Sequence, residues 1–461
     1  MGIEQSLAFP NQVRVTRGPA DDIRLEGPYQ SLSVPSEAVA LRALVERILA
    51  GTATRKALFP DDGLDAVARA ERLHYLDMLN RSALLDAVFE DDTGSVLRLH
   101  SQAPAALRPL WYDDGPLRQG SIRLSPRALM RWVEGGLRLE SPFTGRFVTI
   151  GDPASVALLD DLAKGAMIDA LAESHPTDLV RAMLHVLDAL HLVDGQAETG
   201  PFWEFHDLLF HARSRMGRHL DGYGGTFRLR GKAAPLPAIR PRPEGAPPAI
   251  ALREAPDSAF AALLSRRRST REFAERPLSL AQLGELLDRC ARATAPRQVG
   301  EIEVDRRPYP TGGAAYDLEV YVLARRVEGL EPGLYHHAPR SHTLDRMAAD
   351  PNMLETMARH AARTYLAETP PQAVLLITSR LGRVAWKYAS MSYALVLKHV
   401  GVLYQTLYLS AADLGLGACA LGGGNSDLFA EATGIDCYAE PLVGEFVIGR
   451  PADADDATDR R

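Results

Sequence analysis

Apolar residues recur at helical spacing in several separate stretches, and short alternating runs that suit strands lie between them. Glu37 to Ala50, Tyr75 to Phe89, Pro153 to Lys164 and Asp178 to Leu192 read as amphipathic helices. Two strand-like segments match in chemistry, Ile23-Arg24-Leu25-Glu26-Gly27-Pro28-Tyr29 and Leu137-Arg138-Leu139-Glu140-Ser141-Pro142-Phe143, and each leads into a second apolar segment and then a helix. A hairpin followed by small helices is a winged-helix-like plan, so the pattern predicts two tandem modules, over 1–115 and 116–230. Chance similarity of two strands is the competing explanation. Neither copy carries a basic helix, which points away from DNA and toward a peptide laid along a sheet edge.

The periodicity stops at Gly231 to Ile250, GKAAPLPAIRPRPEGAPPAI, where proline recurs too often for a helix or a central strand. This stretch reads as a linker, with a further domain over 251–461. That domain opens with a helical start at Asp257 to Leu264 and an amphipathic helix over Pro277 to Leu287 with Ser279 as N-cap. A strand over Leu318 to Ala324 follows. The longest apolar tract, Ala389 to Leu414, contains Lys398, His399, Gln405 and Asp413, so it predicts a buried helix rather than a membrane span.

Composition narrows the class. The chain has 461 residues, long enough for several cores, with 46% hydrophobic and 24% charged residues and a formal charge of −7, the profile of a soluble globular protein. Basic and acidic residues are interspersed, so no arm for nucleic acid is expected. The three cysteines, Cys290, Cys419 and Cys437, lack the close pairing of structural zinc and fit a reducing cytoplasm. The first residues show no basic start followed by an apolar run, so a cytoplasmic protein is expected.

Candidate chemistry concentrates after the linker. In Arg266-Arg267-Arg268-Ser269-Thr270-Arg271, alternate residues of an extended segment point the same way, so Arg267, Ser269 and Arg271 can converge on a phosphate through charge-assisted hydrogen bonds. Arg307-Pro308-Tyr309-Pro310-Thr311-Gly312-Gly313 and Leu416-Gly417-Ala418-Cys419-Ala420-Leu421-Gly422-Gly423-Gly424 are runs where backbone can approach a planar ligand closely. Their glycines do not form a dinucleotide fingerprint. His336, His337 and His342 form a polar turn, and His206 and His211 are five apart, which does not place them on one helical face. No metal site is expected from either group. Cys419 reads as a small buried filler.

The order RRSTR, PLSLAQL, RPYPTGGAAYDLEVYV, EPGLYHH, WKYASMSYALVLKHVGVLYQTLYLSAADLGLGACALGGG and FVIGRP resembles the nitroreductase-like azoline dehydrogenases of the SagB type, which include the cyanobactin oxidases. The resemblance is collinear over about Ala251 to Pro451. The stretch WEFHDLLFHARSRMGRH through GGTFR also resembles two-domain members of that family, whose N-terminal part looks like paired winged-helix peptide-recognition modules. The fold class implied is α+β, a C-terminal nitroreductase-fold domain preceded by tandem winged-helix-like modules.

The resemblance implies an FMN-dependent enzyme that oxidises thiazolines or oxazolines of a ribosomally made peptide to thiazoles or oxazoles. Arg267, Ser269 and Arg271 would hold the flavin phosphate and the polar edge of its ring, with Arg450 a further phosphate candidate. Pro310, Thr311 and Gly312 would line the flavin, in this fold at a homodimer interface; Thr311 stands where a serine is usual and keeps the hydroxyl. Gly422 and Gly423 would present backbone N–H groups near flavin N5. Lys387-Tyr388 matches the pair associated with catalysis, Tyr388 as proton acceptor and Lys387 lowering its pKa or holding substrate. Neighbours on a helix diverge by about 100°, so both can meet one substrate only at a helix terminus or across a broad pocket. Otherwise Lys387 snorkels and Tyr388 packs at the start of the long helix. The implied partners are a precursor peptide, with its leader on the N-terminal modules, and a cyclodehydratase. Two other readings stay open: a general NAD(P)H-dependent nitroreductase or flavin reductase, and a non-catalytic flavin-binding peptide scaffold.

Overall fold

The computed structural model describes residues 2–452 apart from 19–20, 28–30, 61–64, 93, 102–110, 112–114, 134–135, 197–198, 217 and 219–222. Pro28 and Tyr29 of the sequence repeat lie outside the described residues. The chain divides into two units, Met1–Gly222 and Tyr223–Arg461.

In the first unit each repeat is a three-stranded antiparallel meander followed by helices. Arg14–Arg17, Ile23–Glu26 and Ser31–Val34 precede the helices Val39–Leu49, Arg55–Leu58 and Ala66–Arg81. Leu129–Val133, Gly136–Glu140 and Arg146–Ile150 precede Pro153–Lys164, Ile168–Ser174 and Thr177–Leu190. The middle strands are the matched sequence segments. Their apolar residues Ile23, Leu25 and Leu139 are fully buried, as alternation in a half-buried strand requires.

The two meanders differ at one edge. Arg146–Ile150 pairs on its far side with Gly94–Ser101, in the six-stranded sheet Glu4–Ala8, Asp86–Asp91, Gly94–Ser101, Arg146–Ile150, Gly136–Glu140, Leu129–Val133. One sheet therefore spans the expected boundary at 115/116. Ser31–Val34, the corresponding strand of the first repeat, pairs only with Ile23–Glu26 among the described residues.

One expected helix is corrected. Tyr75 to Phe89 is not continuous: the helix ends at Arg81, Ala83 takes a left-handed φ of 54°, and Asp86–Asp91 is a strand. The strand pairs with Glu4–Ala8 on one side and Gly94–Ser101 on the other, and two ladders of backbone hydrogen bonds outweigh the helical periodicity of its side chains.

Residues 231–250 lack regular structure and are almost all exposed. Beyond them an antiparallel sheet runs Thr343–Met347, Gly333–Ala338, Leu318–Ala324, Ala373–Ser379, Leu442–Gly449, Gly417–Leu421. Its three central strands are buried along their whole length, because helices cover both faces. Leu376 and Val447 face a cluster with Leu354, Met357, Ala358 and Phe429 of the helices Pro351–Thr364 and Ser426–Thr433. On the opposite face Phe446 meets Tyr404 and Tyr408 of the long helix Ser392–Asp413. A Cβ at Gly444 would lie 2.6 Å from the Tyr404 hydroxyl oxygen and 2.9 Å from Val400, so only glycine lets this helix pack so closely. The helix Leu280–Ala291 starts with a capping box between Ser279 and Gln282. No helix among the described residues is long and apolar enough to cross a membrane.

Candidate active site

Two clusters form along the long helix, on residues nine positions and therefore about 14 Å apart. The first centres on Tyr408. Arg267, at the C-terminus of Ala259–Arg266, places its guanidinium 5.3 Å from the Tyr408 ring centroid. Ser269 Oγ lies 2.9 Å from the Tyr408 hydroxyl, which also accepts a 2.7 Å hydrogen bond from Ala420 N–H. The segment carrying these residues is held against the sheet end: Thr270 N–H donates to the Ala418 carbonyl at 2.7 Å, and Ala274 N–H to the Arg450 carbonyl at 2.9 Å. Arg267 and Ser269 are thus brought together, while Arg271 stays exposed. Arg450 lies at the end of Leu442–Gly449, with one terminal nitrogen 3.4 Å from Gln282 and a buried Nε that has no hydrogen-bond partner among the described residues.

Gly422 and Gly423 follow Gly417–Leu421. Gly422 is exposed and a Cβ there would meet nothing within 4 Å, whereas at Gly423 it would lie 3.1 Å from the Thr364 hydroxyl oxygen. The guanidinium groups of Arg267 and Arg450, the latter with its orphaned buried Nε, the Ser269 hydroxyl and the open glycine at the strand end are donors of the kind that fits a phosphate ester carrying a flat group, as FMN does.

The second cluster surrounds the loop 310–316. Pro310 is exposed, and Thr311 uses its hydroxyl oxygen to accept from Tyr316 N–H at 3.0 Å. Gly312 N–H donates to His399 Nε2 at 2.8 Å. Lys387 and Tyr388 lie just beyond the short helix Gly382–Ala385, at the helix terminus that neighbouring side chains need in order to converge. They do converge. A Cβ at Gly313 would lie 2.8 Å from both Lys387 Nζ and the Tyr388 hydroxyl oxygen, and Nζ is 5.2 Å from the Tyr388 ring centroid. Gly313, with φ of 60°, leaves the space both groups occupy.

Sequence reasoning missed Tyr408, His399 and Asp317. Tyr408 lies four residues after Tyr404 on the same helix, a spacing that aligns two hydroxyls along one face. His399 sits between Val396 and Val400, and an imidazole in an apolar stripe demands a buried partner. That partner is Asp317, 2.7 Å from Nδ1. The other histidines go elsewhere. His336 pairs with Glu319 at 3.2 Å, which raises its pKa, and His337 meets His342 at 3.1 Å. In the first unit His211 is buried against Trp203 and His206 is exposed. Cys419 is buried in the sheet core.

Residues 264–450 match the nitroreductase family model. A nitroreductase relative from Methanocaldococcus jannaschii is 31% identical over 160 residues, covering 35% of this chain and 76% of that protein. The chain belongs to the nitroreductase family. Residues 122–220, in the first unit, match the cyanobactin oxidase model. This nitroreductase-family protein is also similar to the microcin B17-processing protein McbC of Escherichia coli, 28% identical over 147 residues, or 31% of this chain and 53% of McbC. The structure of the E. coli microcin synthetase McbBCD complex with truncated pro-MccB17 bound is 23% identical and covers 49% of this chain and 82% of that one, with a TM-score of 0.39. The resemblance to azoline dehydrogenases of the SagB type, first carried by RRSTR, PTGG and Lys387-Tyr388, is borne out by the two family models and by the similarity to McbC.

Proposed function

We propose that this enzyme oxidises thiazoline or oxazoline rings of a ribosomally made peptide to the aromatic azoles, with FMN held by Arg267, Ser269, Arg271 and Arg450. The observation that carries the reading is the convergence of Lys387 and Tyr388 at Gly313, beside the loop Pro310–Thr311–Gly312 that would line the flavin. Aromatisation removes a proton from the ring carbon next to the carbonyl and a hydride from the adjoining carbon. FMN, when bound, supplies the two-electron acceptor for that hydride.

The chain's own task is the proton. The Tyr388 hydroxyl oxygen is the group placed to take it, as phenolate, and the Lys387 ammonium beside it favours that anion by Coulomb attraction. Gly422 and Gly423 would offer backbone N–H groups at the reacting edge of the ring. The flavin site is completed by a second copy of the chain in a homodimer. The edge of Ser31–Val34 that is unpaired among the described residues would give an extended precursor peptide a place to add a strand, as Gly94–Ser101 does on the second repeat. A cyclodehydratase would supply the azolines.

The test is to incubate the purified full-length protein with FMN and an azoline-containing peptide and to read the mass. Loss of two hydrogens per ring supports the proposal. Rapid NADPH oxidation with a nitroaromatic and no change in peptide mass makes the protein a general nitroreductase. Peptide binding with no change of mass and no reductase activity makes it a scaffold.

A further inference from the structure

The loop beneath Lys387 and Tyr388 is held in an unfavourable shape. Gly313, Ala314 and Tyr316 have φ of 60°, 55° and 42°, and only the first is a glycine. Left-handed alanine and tyrosine persist only where the surroundings over-determine them. Here Tyr316 N–H is tied to Thr311, Arg383 Nε donates to the Ala315 carbonyl at 2.7 Å, and Gly312 N–H donates to His399 Nε2 at 2.8 Å.

The last bond fixes a tautomer. A backbone N–H can only donate, so Nε2 is bare and the proton sits on Nδ1, which donates to Asp317 Oδ1 at 2.7 Å. Asp317 Oδ2 accepts from Ser379 Oγ at 2.7 Å. Asp317 and Ser379 are fully buried and His399 is 3% exposed, so water does not compete for these bonds. The chain Ser379–Asp317–His399–Gly312 therefore runs from the central strand Ala373–Ser379 to the glycine adjoining Gly313, whose missing side chain makes room for both Lys387 and Tyr388.

We propose that His399 and Asp317 are positioning residues: by holding Gly312 they set the floor of the site at the distance at which Lys387 and Tyr388 can share one substrate. The catalytic consequence rests on the reading under Proposed function, whereas the clamp itself is a property of the loop.

Three variants separate the roles. His399→Asn keeps a donor for Asp317 but has no acceptor for Gly312. His399→Gln places an amide oxygen near the Nε2 position and can accept from it. Asp317→Asn presents a donor to Nδ1, drives the proton to Nε2 and sets two donors face to face. With full-length protein at saturating FMN, amide hydrogen exchange at Gly312 should accelerate at least about tenfold in His399→Asn and Asp317→Asn, and stay near wild type in His399→Gln. Azoline turnover should follow the same order, with kcat falling about a hundredfold in the first two and KM changing little, as expected for a misplaced site. Ser379→Ala, which removes only the outermost link, should give an intermediate exchange rate even if the other substitutions prevent folding. Wild-type exchange at Gly312 in His399→Asn overturns the clamp; fast exchange with unchanged kcat overturns its catalytic role. If wild type leaves azolines untouched, the functional reading fails while the exchange measurement still decides the clamp.

Discussion

Tyr408 and His399 stand on the same helix, yet they organise their surroundings in opposite ways. Around Tyr408 the partners come mostly from one short half-buried stretch, Arg267 to Thr270, laid against a strand end. Around His399 they are Gly312, which is half-buried, and Asp317, which with its own partner Ser379 is fully buried. The first arrangement leaves its cation half-exposed, where the phosphate of the proposed cofactor would reach it without an isolated charge having been stripped of water beforehand. The second gives rigidity through burial, which the proton acceptor proposed at Tyr388 would need more than accessibility.

The largest effect that would sharpen this contrast is expected from Tyr388→Phe. Azole formation should fall by about a hundred- to ten-thousand-fold, the range of a lost general base, while the protein still purifies yellow. Normal turnover by mass spectrometry would end the assignment of Tyr388.

Buried histidines extend the comparison. His399 faces a carboxylate, whereas His337 is pushed down to about 4, first by burial and then by His342. A histidine whose pKa is lowered on folding contributes stability that is complete above its unfolded value of about 6.5 and is lost as pH falls from there toward 4, here about 3 kcal/mol. His185, also pushed to about 4 by burial, contributes in the same window, so the readout is the difference between wild type and His337→Gln in thermal unfolding across that range. Equal pH dependence in the two proteins would refute the prediction.

At the Tyr408 cluster the expected effect is smaller and falls on binding. Arg267→Ala should weaken FMN by about ten- to a hundredfold, the 1.5–3 kcal/mol of a charge-assisted hydrogen bond, with turnover recovering at saturating FMN. Fluorescence titration measures this, and a turnover defect that excess FMN cannot restore would place Arg267 in the chemistry instead. The smallest change is expected for Tyr408→Phe. The ring under Arg267 stays, but Ala420 N–H and Ser269 lose their shared partner, which should cost about 1–2 kcal/mol in denaturant unfolding. No loss of stability would mean that water replaces the hydroxyl.

Much of the fold was legible because local chemistry and tertiary packing agree. Pro153–Lys164 has the predicted limits, capped by Asp152; Ser279 caps its helix; Leu318–Ala324 is a strand with the expected limits. The failure at Tyr75 to Phe89 came where they conflict, since Asp86–Asp91 has helical spacing but two neighbouring strands. The candidate site was legible in the same uneven way. Arg267 and Ser269 lie two residues apart on an extended segment, and Lys387 and Tyr388 are adjacent, so their proximity is covalent before it is spatial. His399 and Asp317 are 82 residues apart, and nothing in either neighbourhood names the other.

The sequence by itself determined the repeated succession of strands and helices, the proline-rich break, the order of the family's motifs and the residue types able to hold a phosphate or accept a proton. Only the tertiary structure decided which edge of which repeat is paired, that Lys387 and Tyr388 meet over a glycine, and that a buried aspartate orients the imidazole holding that glycine's neighbour. The physical reason is range. Alternation, capping and turn chemistry act over a few residues and leave a periodic trace, whereas a hydrogen bond across a packed helix and sheet depends on where two distant backbones come to rest.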